Sequence, residues 1–366
     1  MRRRILMISD ATLEGGTNTY IYDLLCIVTK YSDFTISLLL DNNKNMLCLS
    51  NKCRKIGVRV YTEDIYHGNN PESNIQQALN RVIDAVNPDL VHVFCGSIRS
   101  CITIREIIIK KNLPLFSTET YLSKTYPITE NELARVKEIY EHTKCVTTVC
   151  KSNIRILKEC YGINTQNVRY IPTSIDTDRY LFSERIIKDE IRVVIIARFV
   201  KQKGIDIFIE AFYQLDKNLK KKCKVSIYGD GEEREYLLNL IHSYELEPYI
   251  ALLGWGVDIV NKLAEYNLCI IPSRDEGLPY VALELLSIGL PCIAADVGGI
   301  FELADNGKYM ELFEAESIES LKQKLINVIT NPQKILQKTE KVKDHIKKNY
   351  NQTINYKQFL ELWKIY

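Results

Sequence analysis

Two carboxylates and two cations in the second half of the chain are the residue types best suited to chemistry. Glu276 and Glu284 lie in S-R-D-E-G-L-P-Y-V-A-L-E, where eight positions of helix would return both side chains to one side. Arg198 and Lys203 lie in A-R-F-V-K-Q-K-G, just past an apolar run. Cations beside a helix N-terminus suit a diphosphate, and a nearby carboxylate can accept hydrogen bonds from sugar hydroxyls.

Each of these residues also has an ordinary interpretation. A lone glutamate inside an apolar helix face, as Glu284 is, commonly pairs with a core arginine or a backbone amide. A single arginine or lysine after a strand is most often a solvated surface charge. The hypothesis of a ligand site therefore depends on the whole set and on the elements that hold it.

Glycines follow several predicted strands, where a ligand can approach the backbone closely. Gly15 and Gly16 follow the first strand, Gly229 and Gly231 lie in Y-G-D-G, and Gly254 lies in L-L-G-W-G. The alternatives are a flexible loop for the first pair and sharp turns for the second. None of these segments is the G-x-G-x-x-G of dinucleotide-binding proteins, so a nicotinamide cofactor is not indicated.

Strands and helices alternate along the chain and must position these residues. Short apolar strands alternate with amphipathic segments from Arg4 to Ile171, and a second series begins at Ile191–Ala197. This pattern predicts α/β domains with doubly wound parallel sheets. We expect an N-terminal domain over 1–171, a linker over 172–190, a second domain over 191–345, and a C-terminal helix over 346–366 that returns to the first domain.

Composition limits the class of protein. The chain has 366 residues, 46% hydrophobic and 26% charged residues, and a net charge of +2, which fits two globular domains. Its 11 cysteines are scattered without C-x-x-C spacing, so we expect buried thiols in a reducing cytoplasm. We read no export signal and no membrane span, and no basic stripe suggests nucleic acid. The mildly basic first half allows contact with a membrane surface, or is simply solvated.

The second half of the chain resembles the nucleotide-binding domain of family-4 retaining glycosyltransferases with the GT-B fold. The blocks that carry the resemblance occur in order as A-R-F-V-K-Q-K-G, Y-G-D-G-E-E-R, L-L-G-W-G, P-S-R-D-E-G-L-P-Y-V-A-L-E and V-G-G-I-F-E-L. The resemblance is looser in the first half, where it includes Y-I-P-T-S-I-D-T-D-R-Y. It implies two Rossmann-like domains facing a central cleft, with the acceptor on the first domain.

The resemblance also implies roles for individual residues. Arg198 and Lys203 would neutralise the leaving diphosphate, Glu276 would face the donor sugar, and Glu284 would hold the ribose. We take Arg198, Lys203 and Glu276 as catalytic. The other residues predicted to bind the nucleotide sugar are Gly16, Gly229, Gly254, Gly277, Leu278, Pro279, Tyr280 and Glu284.

The sequence departs from the family on the sugar and acceptor side. Where the family usually places a histidine after a strand, this chain has S-T-E-T-Y, with Glu119 at or near that position. His92 is the nearest histidine, and V-H-V-F indicates a buried strand instead. We keep Glu119 and His92 as candidates for the acceptor or sugar side, with a core histidine as the alternative for His92.

The expected function is that of a cytoplasmic hexosyltransferase of polysaccharide biosynthesis. It would move a hexose or N-acetylhexosamine from a nucleotide diphosphate sugar, with UDP preferred, to a glycan or lipid-linked acceptor, with retention. Two cations and a helix dipole replace a metal in this prediction, so we expect no metal and no cofactor. The alternatives are a sugar-nucleotide epimerase or hydrolase of the same fold, and a non-catalytic nucleotide-binding partner subunit.

Overall fold

The computed structural model describes residues 2–66, 71–180, 183, 186–187, 190–254 and 263–365. The chain forms two compact units. The first comprises Met1–Ile175 together with Asn351–Tyr366, and the second comprises Asp176–Tyr350. Among the described residues, no helix has the length and apolar character that crossing a membrane requires.

A seven-stranded parallel sheet forms the centre of the first unit, in the order β3-β2-β1-β4-β5-β6-β7. Its strands are β1 (Arg4–Ser9), β2 (Thr35–Asp41), β3 (Arg59–Glu63), β4 (Leu90–Cys95), β5 (Leu115–Glu119), β6 (Cys145–Thr148) and β7 (Val168–Tyr170). The helices of this unit are Gly16–Tyr31, Leu47–Lys55, Glu72–Val86, Ile102–Lys110, Glu130–His142, Lys151–Glu159 and Gln352–Ile365. The apolar runs of the sequence become strands because a parallel sheet is covered on both faces.

The helices of the first unit follow from amphipathic spacing and local caps. Glu72–Val86 buries Ile75, Leu79 and Val82, which recur at helical spacing on one side. Glu130–His142 begins with a capping box, in which the Thr129 side chain accepts from the Glu132 backbone and the Glu132 carboxylate accepts from Thr129. Such caps satisfy backbone donors that the first helical turn leaves free.

The C-terminal helix Gln352–Ile365 belongs to the first unit, as predicted for the fold. It buries Tyr356, Phe359 and Trp363. The Trp363 indole Nε1 donates to Nδ1 of His92 over 3.1 Å, and His92 itself lies in β4 with no exposed surface. The helix therefore closes one side of the first sheet with aromatic side chains.

The second unit is built around a six-stranded parallel sheet in the order β10-β9-β8-β11-β12-β13. Its strands are β8 (Ile191–Ile196), β9 (Cys223–Tyr228), β10 (Ile250–Leu253), β11 (Leu268–Ile271), β12 (Cys292–Ala295) and β13 (Glu311–Phe313). Its described helices are Ile205–Tyr213, Lys217–Lys220, Arg234–Ser243, Tyr280–Ser287, Ile300–Leu303, Ile318–Thr330, Pro332–Thr339 and Val342–Asn349.

Both sheets are doubly wound, so the direction of winding reverses once in each. In the second unit β8 pairs with β9 on one side and with β11 on the other. Chain segments that leave β8 and β11 at their carboxyl ends diverge to opposite faces, and ligands of such sheets bind in the crevice at this point. This geometry selects the loops after β8 and β11 as the place to look for a site.

Some predicted elements differ from the structure. The strand Glu311–Phe313 was not predicted, because three residues with one charge carry no clear period. The sequence also predicts a helix over Leu278–Ile288, opened by Pro279 and ended by Gly289. In the structure this helix begins at Tyr280, because Pro279 is extended at its N-cap. A further helix is predicted over Asp258–Tyr266, of which residues 258–262 lie outside the described residues and Leu263–Glu265 forms a 3-10 turn.

Candidate active site

The loops after β8 and β11 meet through an ion pair at the point where the second sheet reverses. Lys203 Nζ lies 2.6 Å from Oε1 of Glu276, and the two side chains are only 18% and 8% exposed. The buried Ser273 hydroxyl donates to the same carboxylate oxygen over 2.7 Å. Two donors thus fix Glu276, and a small cavity of about 20 Å³ lies beside Lys203, Ser273 and Glu276. That volume is enough for about one water molecule.

Gly204 lets these two loops approach each other. It follows the 3-10 turn Lys201–Lys203 and begins the helix Ile205–Tyr213 with a left-handed φ of 61°. A Cβ at this position would lie 2.0 Å from the Pro272 carbonyl oxygen. Any other residue would therefore push Lys203 away from the loop that carries Glu276.

Arg198 lies on the same loop after β8, exposed at the surface. Among the described residues, its guanidinium takes part in no ion pair. The loop after β9 packs against this segment, since a Cβ on Gly229 would lie 1.8 Å from the Ala197 carbonyl oxygen. The Phe199 N–H donates to the Asp230 carbonyl over 2.8 Å. Position 229 therefore requires glycine, because a larger residue would clash with the backbone that leads to Arg198.

The loop after β12 supports the other side of the Glu276 segment. Gly298 has a φ of 52°, and a Cβ there would lie 1.8 Å from the Glu276 carbonyl oxygen. The Gly299 N–H donates to the Gly277 carbonyl over 2.6 Å. The V-G-G turn thus holds the backbone of Glu276 and Gly277 in place.

The helix Tyr280–Ser287 begins directly after this segment. Pro279 is its N-cap, has no N–H of its own, and supplies no side-chain hydrogen bond. In the part of the chain that the structure describes, the N–H groups of Gly277 and Leu278 have no acceptor. Free donors and the positive end of the helix dipole therefore lie next to Lys203 and Glu276, which is an arrangement suited to an anion.

Glu284 lies on the second turn of this helix and has a partner that the sequence did not reveal. The Tyr180 hydroxyl donates to Oε1 of Glu284 over 2.8 Å. Burial raises the pKa of the Glu284 carboxyl, and the Tyr180 hydrogen bond and the charge of Arg179 oppose that rise. The carboxyl would therefore be more costly to ionise without these two neighbours.

Arg274 is a second residue that sequence reasoning missed. Its guanidinium binds both carboxylate oxygens of Asp206, at 2.8 and 2.7 Å, and donates to the Lys201 carbonyl at 2.7 Å. A bidentate pair is directional as well as attractive. The Arg274 side chain therefore connects the loop that carries Lys203 to the loop that carries Glu276, on the side away from the site. No residue spacing in the sequence indicated this contact.

The remaining predicted residues belong to other elements. Gly254 follows β10, and a Cβ added there would meet no described atom within 4 Å. Gly16 is exposed at the start of the helix Gly16–Tyr31 in the first unit. The first unit also holds His92 and Glu119.

The structure buries both candidates for the sugar side completely. Glu119 ends β5 at 3.5 Å from Arg105, and its carboxyl pKa is raised by burial. His92 accepts from Trp363 and contacts the Thr118 hydroxyl at 2.7 Å. With no exposed surface and with partners inside the first unit, both side chains act as core groups in this structure. The alternative of a core histidine thus describes the position of His92.

Comparison with known proteins identifies the second unit. Residues 176–352 match the family model described as Glycosyl transferases group 1. The five blocks of the second half that carry the resemblance lie within this match, which covers just under half of the chain and includes Lys203, Glu276 and Glu284. The resemblance to a glycosyltransferase is confirmed, and the assignment to family 4 stays a prediction.

Curated relatives match part of the chain. An uncharacterized glycosyltransferase of Methanocaldococcus jannaschii is 32% identical over 37% of this chain and 37% of its own length. The UDP-Gal:alpha-D-GlcNAc-diphosphoundecaprenol alpha-1,3-galactosyltransferase of Escherichia coli is 29% identical over 55% of this chain and 60% of its own. The chain thus spans less than two thirds of the length of these relatives.

Solved structures establish the fold over the whole chain. The complex of Anabaena HepE with UDP superposes with a TM-score of 0.82, at 18% identity, over 99% of this chain and 100% of that one. A glycosyltransferase of Rickettsia africae gives 0.81 at 18% identity, over 99% and 98%. The chain has the GT-B fold, and the predicted fold class, with two parallel-sheet domains and a returning C-terminal helix, is confirmed.

Proposed function

We propose that the protein is a retaining glycosyltransferase of family 4, which uses a UDP-sugar as donor. The observation that carries the proposal is the Lys203–Glu276 pair beside the free N–H groups of Gly277 and Leu278, at the carboxyl ends of β8 and β11. A diphosphate would accept from Lys203, Arg198 and these amides. Glu276 would face the hydroxyls of the donor sugar, and Glu284 those of the ribose.

The charges that develop during glycosyl transfer explain why cations and amide N–H groups would be needed at this site. Breaking the bond between a sugar and a diphosphate builds negative charge on the leaving group and positive charge on the sugar. Fixed cations and amide dipoles stabilise the leaving group most in the transition state, and they are already oriented before the reaction. The ion pair with Glu276 fixes the direction of the Lys203 side chain, because the Ser273 hydroxyl also holds that carboxylate in place.

The donor and acceptor are proposed at the level of chemical class. The proposed donor carries a hexose or N-acetylhexosamine on UDP, and the acceptor is a glycan or a lipid-linked sugar. The E. coli relative named above, which uses UDP-Gal and a diphosphoundecaprenol acceptor, supports this choice. A relative in Bacillus anthracis, an N-acetyl-alpha-D-glucosaminyl L-malate synthase at 28% identity, supports the alternative donor sugar. Cytoplasmic location and peripheral membrane contact through the first unit are part of the same proposal.

We propose that turnover needs no metal, because two cations and a helix N-terminus can neutralise the leaving diphosphate. Turnover should persist after exhaustive treatment with EDTA and should not rise when Mg²⁺ or Mn²⁺ is added. A rate that returned only with added metal would contradict this part of the proposal. Retention is tested separately, by NMR assignment of the anomeric configuration in the first-formed product.

The diphosphate site is tested by Arg198→Ala and Lys203→Ala. A hydrogen bond to a charged group contributes about 1.5–3 kcal/mol, so each variant should lose about tenfold or more in donor turnover. UDP affinity, measured by titration calorimetry, should fall with it. Lys201→Ala is the matched control, since Lys201 is an exposed lysine of the same loop. If both test variants kept the rate of the control, the assignment of the site would be wrong.

A further inference from the structure

Tyr180, the last residue of the segment Y-I-P-T-S-I-D-T-D-R-Y, contacts the carboxylate that is predicted to bind the ribose. It lies in the segment just after residue 175, and its hydroxyl donates to Oε1 of Glu284 over 2.8 Å. The two residues are 104 positions apart, so only the fold brings them together. Both side chains are half-buried, which makes their hydrogen bond stronger than one in water.

The bond leaves the rest of the carboxylate available. An ionised carboxylate accepts through two oxygens with about four lone-pair positions in all. Tyr180 takes one position on Oε1, and in the described part of the chain Oε2 of Glu284 has no hydrogen-bond partner. Two ribose hydroxyls are donors that could occupy the remaining positions. By holding Oε1 of Glu284, the Tyr180 hydroxyl therefore also sets the direction in which Oε2 points.

Two elements place charged groups near Tyr180 and Glu284. Tyr180 and Arg179 belong to the segment after residue 175, and Asp178 precedes them. The helix Val342–Asn349 contributes Lys343 and Lys347, which line a cavity of about 200 Å³ that Tyr180 and Ser287 also border. Ser287 belongs to the same helix as Glu284. Tyr180 thus borders this cavity, and its hydroxyl binds Glu284.

We propose that Tyr180 is a positioning residue for ribose recognition: its hydroxyl orients the Glu284 carboxylate so that the second oxygen accepts from the ribose of the nucleotide. This inference rests on the proposed function, because it assigns a partner to the predicted ribose ligand. Tyr180 need not touch the nucleotide. It acts through Glu284, so its removal should affect ligands with ribose hydroxyls and spare those without them.

The direction of the pH effect follows from the surroundings of Glu284. Burial raises the pKa of this carboxyl, and the Tyr180 hydrogen bond lowers it again. In Tyr180→Phe the pKa of Glu284 should therefore rise. A protonated carboxyl presents a hydrogen to a ribose hydroxyl where an acceptor is needed, so UDP affinity should start to fall at a higher pH than in the wild type.

The experiment is a calorimetric titration of the full chain with UDP and with 2′,3′-dideoxy-UDP between pH 5 and pH 8. Tyr180→Phe should bind UDP about tenfold more weakly at pH 7, and its UDP affinity should begin to fall at a higher pH than that of the wild type. It should bind the dideoxy nucleotide with the wild-type affinity. Tyr244→Phe is the matched control, because the Tyr244 hydroxyl also donates to a glutamate, Oε1 of Glu210, over 2.8 Å. It should change neither affinity.

A second variant separates ionisation from simple packing. Glu284→Gln cannot ionise, so its UDP affinity should be weak and flat with pH, and adding Tyr180→Phe to it should cost nothing further. Equal loss of UDP and dideoxy-UDP in Tyr180→Phe, or an unchanged UDP profile, would overturn the inference while Arg198 and Lys203 could still define a diphosphate site. A wild type that binds no UDP at any pH would overturn the proposed function as well.

Discussion

At the scale of single residues, the site depends on side chains that hold Glu276 and Glu284 as much as on the carboxylates themselves. Lys203 and Ser273 converge on one oxygen of Glu276, and Tyr180 donates to one oxygen of Glu284. In each case a donor occupies one oxygen of the carboxylate. The glutamates could be found from their spacing, but their pairing with Lys203 and Tyr180 could not, because contacts across 73 or 104 positions leave no local pattern.

Ser273→Ala tests whether orientation of Glu276 matters for transfer. The variant removes a buried donor at 2.7 Å and leaves the Lys203 pair in place. We expect kcat with a UDP-sugar to fall about five- to tenfold, in line with roughly 1 kcal/mol for one hydrogen bond, with UDP affinity nearly unchanged. The measurements are steady-state kinetics and UDP calorimetry on the same preparation.

Ser287→Ala is the control for this prediction. Its hydroxyl is equally buried but donates to the Leu283 carbonyl of its own helix, over 2.8 Å. The same loss of kcat in both variants would mean that the effect comes from general packing, and the role given to Ser273 would have to be withdrawn.

His92 makes the first unit sensitive to acid. Trp363 Nε1 can only donate, so His92 Nδ1 must accept, and the ring proton lies on Nε2, toward Thr118. Burial accordingly lowers the pKa of His92 from 6.5 to about 3. Below pH 6.5 the His92 side chain binds a proton in the unfolded chain but stays neutral in the folded unit. The free energy of unfolding is therefore unaffected by His92 above pH 6.5, and it decreases by ~1.4 kcal/mol per pH unit as the pH falls from 6.5 toward 3.

The pH dependence can be measured through Trp363 itself. In a Trp255→Phe background, Trp363 is the only tryptophan of the chain and reports on the first unit. The free energy of unfolding, measured with urea, should decrease as the pH is lowered from 6.5 to 5. This decrease per pH unit should be larger than in the same background with His92→Gln. Parallel slopes would show that His92 does not remain neutral on folding.

At the scale of elements, three turns with glycine at left-handed or crowded positions assemble the site from separate strands. Gly204, Gly229 and Gly298 each bring a backbone so close to a neighbouring carbonyl that a Cβ would lie within 2.0 Å of its oxygen. The sequence predicted the strands and the glycine turns themselves. It could not predict which carbonyl each turn approaches, because that depends on the order of strands in the sheet.

Gly298→Ala should disrupt the support of Glu276 without unfolding the second unit. The added methyl would meet the Glu276 carbonyl oxygen, and the residue would also be strained at a φ of 52°. We expect donor turnover to fall by more than tenfold, because the segment that carries Glu276 and the free amides must move. Steady-state kinetics and a thermal unfolding curve are the measurements.

Gly307→Ala is the control that separates backbone strain at a positive φ from a steric clash between the added methyl group and a neighbouring carbonyl. Gly307 has a φ of 86°, but among the described atoms a Cβ there would meet only the Met310 carbonyl oxygen, at 3.9 Å. It should lower the unfolding temperature slightly and leave turnover alone. Turnover that fell equally in the two alanine variants would argue against a specific contact between the V-G-G turn and Glu276.

The boundaries of elements were the least predictable part of the fold. The helix predicted from Leu278 begins at Tyr280, and this shift matters because it leaves Gly277 and Leu278 as loop amides with free N–H groups. Their availability follows from the extended Pro279, which a propensity argument places inside the first turn just as well. The strand Glu311–Phe313 was too short to show a period.

At the scale of the whole molecule, the first unit is completed by a helix from the far end of the chain. Tyr356, Phe359 and Trp363 lie in its core with almost no exposed surface. Loss of a buried aromatic side chain costs about 3–5 kcal/mol, and a domain has only about 5–15 kcal/mol in all. Deletion of 351–366 should therefore unfold the first unit and leave the second, whose own core is intact.

Hydrogen exchange followed by mass spectrometry checks this prediction. Peptides from β1, β4 and β5 should lose protection in the deletion variant, while peptides from β8 and β11 keep it. Deletion of the last three residues only, 364–366, is the control and should leave both sets protected. Persistent protection of β4 after the long deletion would contradict the role given to this helix.

The placement of that helix also affects the order in which the protein is made. A ribosome releases residues 1–175 early, but the segment that closes their sheet comes only after all of 176–350 has been translated. The second unit can complete its core on the growing chain, whereas the first keeps an uncovered aromatic surface until residues 351–366 have been translated. We therefore expect chaperones to be needed mainly by the half that is synthesised first, and insertions within 351–366 to destabilise that same half.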